Sequence, residues 1–254
     1  MINMNSKGLR VHVFLADKGI GSRRFCEDLI RKNLVRINGS FAKLGDKVFL
    51  GDRVKCKDQI FVFRRVSKIE SKIYIALHKP KNYLCSNFDP NGRKLAISLV
   101  QPLFKERLFS VGRLDFKSSG LLLFTNDGWF ANGILHPMRE VEKEYIVESK
   151  KAINEDLLIN FKRGVKIERE IFKLKSYVML GDSSVRLVLT EGKNREIRKV
   201  FLSKNIFLKK IHRIRIGNIK LDNLKEGQIK VLSLAKINRL KAQLLGGVLS
   251  DNSN

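Results

Sequence analysis

The first sixty residues alternate between apolar faces and turn-forming positions. Apolar side chains crowd one face of Leu9–Lys18, which predicts a helix. Ser22 is placed to cap a second helix over Arg23–Lys32, where apolar residues recur at four-residue spacing. Residues 35–37 alternate as a strand before Asn38-Gly39, a strong tight-turn signal. These patterns predict a small unit of mixed α and β structure.

From residue 73 onward, apolar runs of strand length alternate with a few helical patterns. Leu108–Val111 and Leu121–Thr125 predict two strands on either side of a short polar loop. Helices are predicted over Asn154–Arg163, which Gly164 follows, and over Arg195–Lys204. No repeat of fixed period occurs, so the pattern indicates an α+β fold.

A polar segment with little periodicity, Arg64–Lys72, separates these two regions. We therefore predict a first domain over residues 8–66, a linker over 67–72 and a second domain over 73–246. The polar end of the chain predicts a disordered tail over 247–254.

The charge balance narrows the class of partner. The chain of 254 residues has 51 Lys and Arg against 25 Asp and Glu, a net charge of +26 spread along its length. Such a charge favours a polyanionic partner. A membrane partner would need a long apolar span or a strongly basic amphipathic helix, and neither pattern occurs. The polar first residues lack the apolar stretch of a secretory signal, so we expect the protein in the cytoplasm.

Cysteine and histidine spacing argues against a metal centre or a disulfide framework. Cys26, Cys56 and Cys85 lie far apart without a Cys-x-x-Cys pair, and the four histidines are isolated in sequence. No cofactor-binding motif is recognisable either. We expect neither a metal nor a cofactor.

The first domain resembles the S4 RNA-binding domain through segments that follow in order. These are residues 10–16 (RVHVFLA), 21–24 (GSRR), 35–39 (VRING) and 51–54 (GDRV). In that family the second helix and the turn before it press basic side chains onto structured RNA. The resemblance therefore implies RNA contacts from Arg10, Ser22, Arg23, Arg24 and Arg31. An arginine pair alone is more often a solvated helix face, but the ordered series favours RNA.

The polar loop of the second domain carries a longer resemblance. An isolated loop aspartate such as Asp115 is usually a turn former. However, residues 111–128 (VGRLDFKSSGLLLFTNDG) resemble the central motif of the pseudouridine synthases of the small ribosomal-subunit type, the RsuA family. Further matches follow in the expected order at residues 79–93, 136–145 and 191–199, with Glu196 where glutamine is common.

This resemblance implies a mixed, mainly antiparallel β-sheet with flanking helices and a reaction without a cofactor. Asp115 would be the nucleophile, attacking the ribose of the target uridine or otherwise driving cleavage of its N-glycosidic bond. Uracil would then turn and rejoin the sugar through carbon five.

Three further residues are implied around this carboxylate. Because desolvation raises the pKa of an unpaired aspartate, Asp115 needs a cation, and Arg198 is the expected partner. Tyr145 resembles the family tyrosine that stacks on the flipped base, and ordinary core packing is its alternative role. Arg113 could brace the loop or insert into the RNA stack.

A strongly basic stretch follows from Lys193 to Arg215, with nine Lys or Arg and one glutamate. Lys193, Arg195 and Lys199 are expected to contact RNA, and Arg195 is expected to share a helix face with Arg198. Outside this stretch, Lys79 could equally be a solvated lysine, which is the preferred interpretation for Lys81.

The expected partner is ribosomal RNA or a subunit-assembly intermediate, bound by a monomer. Residues 209–217 look more like the members that act on the large subunit, which favours 23S over 16S RNA. The alternative is a non-catalytic RNA-binding assembly factor, which would not need the Asp115 loop. A metal-dependent nuclease is less consistent with the sequence, because its carboxylates would have to cluster to hold metal ions and the acidic residues here do not show such a spacing.

Overall fold

The protein divides into two compact units, with the boundary between Ser71 and Lys72. The structure is a computed structural model that describes residues 8–64 and 71–249. Most of the linker predicted over 67–72 therefore lies outside the described residues, as do residues 250–254 of the predicted tail. The tail was predicted to begin too early, because residues 247–249 form the end of a helix.

The described residues of the first unit, 8–64 and 71, form two helices and six short strands. In chain order these are β1 (Leu9–Arg10), α1 (Val11–Asp17), α2 (Arg23–Arg31), β2 (Val35–Ile37), β3 (Ser40–Phe41), β4 (Lys47–Val48), β5 (Arg53–Cys56) and β6 (Gln59–Val62). The side chain of Ser22 accepts a hydrogen bond from the Phe25 amide at 3.1 Å, so the predicted helix cap is present. Asn38 and Gly39 have φ angles of 49° and 92°, which forms the predicted tight turn.

The second unit is built on one large sheet with helices packed against it. Its elements are β7 (Tyr74–Lys79), β8 (Phe109–Val111), β9 (Ser119–Thr125), α3 (Gly128–Leu135), β10 (Lys143–Ser149), α4 (Glu155–Arg163), β11 (Val165–Ile167), β12 (Glu170–Phe172), β13 (Ser176–Gly181), β14 (Ser184–Leu189), α5 (Glu196–Leu202), β15 (Leu208–Ile216), β16 (Ile219–Lys220), β17 (Ile229–Val231) and α6 (Leu234–Leu249). Short 3₁₀ helices cover Ala96–Leu99, Gln101–Leu103 and Pro137–Arg139. The α+β prediction is confirmed.

The strand order of the large sheet is β13-β14-β10-β15-β9-β7-β17, with β16 paired to β15 and β8 paired to β9. All its pairs are antiparallel except β9 with β15. Strand β9 is buried along its whole length, because apolar clusters cover both of its faces. Its residues therefore form the buried centre of the second unit.

One row of residues crosses four adjacent strands at this centre. Tyr145 of β10 pairs with Arg213 of β15, Arg213 pairs with Gly120 of β9, and Gly120 pairs with Lys79 of β7. Directly paired residues project from the same face of a sheet. The row thus places a tyrosine and two cations around a glycine, immediately beyond the loop that ends at β9.

Candidate active site

Asp115 lies in the loop that joins β8 to β9, as the sequence predicts. The Ser118 amide donates to the Asp115 carbonyl at 3.0 Å, which closes a tight turn. The Leu114 amide donates to the Cys85 thiol sulfur at 3.3 Å, and the Asn82 amide donates to the Phe116 carbonyl at 2.7 Å. These bonds anchor both sides of Asp115 to the segment that follows β7, so its carboxylate has a fixed position.

Arg198 of α5 lies beside this carboxylate. Its Nε is 3.3 Å from Oδ2 of Asp115, and its Nη2 is 3.4 Å from Oγ of Ser118. The arginine side chain is 19% exposed and the aspartate side chain 34% exposed, so the pair is partly shielded from water. The two residues are 83 positions apart in the chain, and the structure brings them together as the sequence-based hypothesis requires.

An open cavity of about 770 Å³ lies over this pair. All four residues predicted for chemistry line it: Arg113, Asp115, Tyr145 and Arg198. Two residues predicted to contact RNA, Lys193 and Arg195, line it as well. The cavity is open to solvent, so a substrate can reach the ion pair from outside.

The predicted start of the helix at Arg195 is wrong. Arg195 has a φ of 50°, in the left-handed region, and α5 begins at Glu196 and ends at Leu202. Arg195 and Arg198 therefore do not share a helix face, although both border the cavity. The sequence gives little indication of where α5 begins, because the residue at its N-cap is Arg195, which is not a typical capping residue.

Several predicted RNA contacts already have partners within the protein. Lys199 lies 3.1 Å from Glu170, Lys193 lies 2.6 Å from Glu191, and Arg31 lies 2.7 Å from Asp28. RNA phosphates would have to compete with these carboxylates, although exposed ion pairs of this kind are weak.

Two predicted contacts of the first unit have structural roles. Arg10 donates from Nη1 to the Gly45 carbonyl, and Ser22 caps α2. By contrast, Arg23 and Arg24 are exposed in the first turn of α2 and form no ion pair with a described residue. Among the RNA contacts predicted for the first unit, these two arginines are therefore the side chains most available to a phosphate.

Sequence reasoning missed two of three buried cations beneath the cavity and left the third undecided. Lys79 is 0% exposed, Arg213 is 3% exposed and Lys143 is 7% exposed. A solvated lysine is one of the two interpretations that the sequence allows for Lys79, and its complete burial excludes it. The only available signal was position, since Lys79 ends a strongly apolar run that forms β7.

Backbone carbonyls hold these cations in place. Lys79 donates to the Pro80 and Ser118 carbonyls at 2.7 Å each, and Lys143 donates to the Val141 and Thr190 carbonyls at 3.0 Å each. Desolvation by burial lowers the pKa of Lys79 to about 8, and burial together with the charge of Arg213 lowers the pKa of Lys143 to about 8.

Glu196 is a buried carboxyl in the cavity wall. One oxygen accepts a hydrogen bond from the Lys193 amide at 3.1 Å, while Oε1 has no partner among the described residues. Burial, and to a lesser extent the charge of Glu191, raise the pKa of Glu196 to about 7, although the hydrogen bond from the Lys193 amide opposes them. A glutamine at this position would avoid the cost of ionisation.

Replacing Glu196 with glutamine is expected to remove a pH dependence of stability. The folded-state pKa of about 7 exceeds the ordinary value of 4.5, so the folded protein retains a proton that the unfolded chain loses. The stability contribution is complete below pH 4.5 and is lost as the pH rises through 7. We expect Glu196→Gln to be more stable than wild type by up to about 3 kcal/mol at pH 8 and nearly equal at pH 4.5.

Urea unfolding of both proteins at the two pH values measures this difference. Glu168→Gln is the matched control, because Glu168 is exposed and should give no pH-dependent difference. A stability difference between Glu196→Gln and wild type that stays constant with pH would contradict the assignment.

Within the described residues, no helix is long and apolar enough to cross a membrane. In the same parts of the chain, no three His, Cys, Asp or Glu side chains cluster in a way that could hold a metal ion.

Comparison with known proteins agrees with the resemblance in the sequence. Residues 73–203 match the family described as RNA pseudouridylate synthase, and residues 9–54 match the S4 domain. A protein of Borreliella burgdorferi named as an RNA pseudouridine synthase is 71% identical over 248 residues, covering 98% of either chain. Ribosomal large subunit pseudouridine synthase B of Haemophilus influenzae is 35% identical over 95% of this chain and 69% of its own length. A crystal structure of a pseudouridylate synthase aligns with a TM-score of 0.66 and 28% identity, over 91% of this chain and 99% of the other. This chain therefore belongs to the RNA pseudouridylate synthase family and carries an S4 domain ahead of the catalytic one.

Proposed function

We propose that this RNA pseudouridine synthase converts one specific uridine of ribosomal RNA to pseudouridine, with Asp115 as the nucleophile and without a cofactor. The target lies in 23S rather than 16S RNA, and the enzyme acts as a monomer on free RNA or on an assembly intermediate. The observation that supports the chemistry best is the Asp115–Arg198 ion pair, 3.3 Å apart at the wall of an open cavity.

The reaction is an isomerisation, so its atoms balance without a second reactant. The C1′–N1 bond breaks with its electron pair going to uracil, while Asp115 either bonds to C1′ or removes a sugar proton. The base then turns, and C5 bonds to C1′ as the Asp115–C1′ bond breaks or as Asp115 returns the sugar proton. The proton on C5 is finally lost as N1 gains one. Arg198 orients the carboxylate for this step by pairing with Oδ2.

Tyr145 and Arg113 have different positions in this proposal. Tyr145 projects from the central row of the sheet into the cavity, where its ring would stack on the flipped uracil. Arg113 is exposed at the cavity edge, which supports insertion into the RNA stack more than bracing of the loop. Lys193 and Arg195 border the same cavity and would contact the phosphates around the target.

Support for a ribosomal substrate comes from relatives and from charge. The Haemophilus influenzae relative is named for the large ribosomal subunit, and this chain has a net charge of +26. A non-catalytic assembly factor would use the same S4 unit. The arrangement of Asp115 with Arg198 and Tyr145 favours the enzyme, because simple RNA binding does not need a paired carboxylate in a cavity.

Mapping of pseudouridines across ribosomal RNA, in cells with and without this gene, tests the proposal. We expect one pseudouridine of 23S RNA to disappear in the deletion strain and to return when the gene is restored. An unchanged set of pseudouridines in both large RNAs would overturn the ribosomal assignment.

Changing Arg23 and Arg24 together to alanine is expected to weaken RNA binding and flatten its dependence on salt. Each lost phosphate contact should reduce the slope of log K against log [salt] by about 0.7–0.9, so the pair should reduce it by about 1.4–1.8. Binding measured at several salt concentrations provides both numbers. Alanine at Lys55 and Lys57, two exposed cations of the same unit, is the control and should change the slope less. An unchanged slope in the arginine variant would argue against RNA contact by this turn.

A further inference from the structure

Arg213 is a buried cation whose hydrogen-bonding capacity is only partly used. Its Nε donates to the Leu121 carbonyl at 2.7 Å, and its Nη1 lies 3.5 Å from the Tyr145 hydroxyl. Its Nη2 is buried and has no partner among the described residues, although the side chain lines the cavity. A buried guanidinium donor without an acceptor destabilises the folded protein. Such a donor is therefore expected where a bound substrate supplies the missing acceptor.

The surroundings of Arg213 make this part of the cavity strongly positive. Lys79 lies in the same cross-strand row, and Lys143 is two residues before Tyr145 on the same face of β10. In the described chain, none of these three cations forms a salt bridge, since carbonyl oxygens hold them instead. The carboxyls that interact with these lysines electrostatically are Asp115 and Glu226 for Lys79, and Glu196 and Glu191 for Lys143. Asp115 itself pairs with Arg198.

Electrostatics determines which chemical species this positively charged part of the cavity can stabilise. Neutral uracil gains little from several uncompensated buried charges, whereas an anion in the same place gains strongly because the local dielectric is low. Charge of that sign develops in only one part of the proposed reaction. When the C1′–N1 bond breaks, the bonding pair leaves with uracil and spreads over N1 and the carbonyl oxygens.

We infer that Arg213, supported by Lys143 and Lys79, stabilises the uracil anion that forms when the glycosidic bond breaks, with the free Nη2 of Arg213 donating to a uracil carbonyl oxygen. This inference rests on the proposed function and assigns a leaving-group role distinct from that of Asp115 and Arg198. The ring centre of Tyr145 lies 5.9 Å from the Arg213 guanidinium carbon, and both side chains line the cavity that Asp115 and Arg198 also line. A base stacked on Tyr145 is therefore within reach of Arg213.

The test compares RNA fragments that contain either uridine or 5-fluorouridine at the mapped target. Fluorine withdraws electrons and makes the departing uracil anion intrinsically more stable, so the anion needs less help from the protein. Single-turnover rates are measured with saturating enzyme as loss of the target nucleoside after nuclease digestion. Because C5 of 5-fluorouridine has no proton to lose, the reaction on that RNA stops after the C5–C1′ bond has formed, and the loss of starting nucleoside still reports bond cleavage. The ratio of wild-type to variant rate is then compared between the two RNAs.

We expect Arg213→Gln to lower the rate on uridine RNA about 100-fold, the usual scale for one electrostatic donor, with RNA affinity changed less than about threefold. The deficit should be at least several-fold smaller on 5-fluorouridine RNA. Lys210→Gln is the matched control, because Lys210 is a cation of the same strand that pairs with Glu148 at 2.9 Å and does not line the cavity. It should leave both rates near wild type.

Equal deficits on the two RNAs, or a deficit confined to binding, would overturn the inference. If Arg213→Gln does not fold, Lys143→Gln takes its place, with an expected deficit of about 10-fold that also shrinks on 5-fluorouridine RNA. A wild-type enzyme that converts no ribosomal uridine would instead refute the proposed function, so the two failures are distinguishable.

Discussion

Asp115→Asn is expected to abolish pseudouridine formation while leaving RNA binding intact. The amide has nearly the same shape as the carboxylate, so the turn closed by the Ser118 amide should persist. It carries no negative charge and is a poor nucleophile and base, so the C1′–N1 bond keeps its full barrier. Loss of an enzymatic nucleophile commonly lowers turnover by about 10⁴-fold or more. Conversion measured by nucleoside mass spectrometry and affinity measured by filter binding separate the two effects.

Asp222→Asn supplies the matched control for this change. Asp222 is a partly exposed aspartate that lies 3.6 Å from Lys236, and its φ of 49° suits asparagine. The same chemical change there should leave turnover within about twofold of wild type, as for most surface substitutions. Wild-type turnover by Asp115→Asn would refute the proposed nucleophile, and loss of RNA binding would show that the substitution disturbs more than chemistry.

Local sequence signals predicted the elements that depend on nearby residues. Ser22 caps α2 and Asn154 caps α4, and Gly164 follows the end of α4, because caps and turns are set within a few positions of the chain. The loop that carries Asp115 was also predictable, since apolar runs on either side define its strands. These features require no knowledge of distant contacts.

Features that depend on strand register were not predictable in this way. Arg213 reads as one of nine basic residues in its segment, and only its pairing with Tyr145 and Gly120 places it under the cavity. Lys79 could be buried or solvated until its position in the sheet was known. A charge in the sequence does not reveal its partner. The sequence predicts an RNA contact for Lys199, whereas the structure places Glu170 beside it.

The same register makes Gly120 one of the least replaceable residues of the catalytic unit. Gly120→Ala is expected to destabilise the protein by about 4 kcal/mol or more, the range that indicates a severe local conflict. A Cβ at this position would lie 2.2 Å from the Arg213 carbonyl oxygen and 2.6 Å from the Arg213 amide nitrogen. Both atoms belong to the backbone of β15, so the clash cannot be relieved by a side-chain rotation. The measurement is the free energy of unfolding in urea, or the soluble yield if the variant does not fold.

Gly227→Ala separates this clash from backbone strain. Gly227 also has a positive φ, 82° against 107° for Gly120, but a Cβ there would meet no atom within 4 Å. Strain alone should cost about 1–2 kcal/mol, so the control should fold and remain active. If Gly120→Ala costs no more than Gly227→Ala, the strands β9 and β15 do not approach as closely as described. Only a residue without a side chain allows β9 and β15 to pair this closely at Gly120. If the strands do not pair in this way, the register that places Arg213 and Tyr145 beside the Asp115 loop is wrong as well.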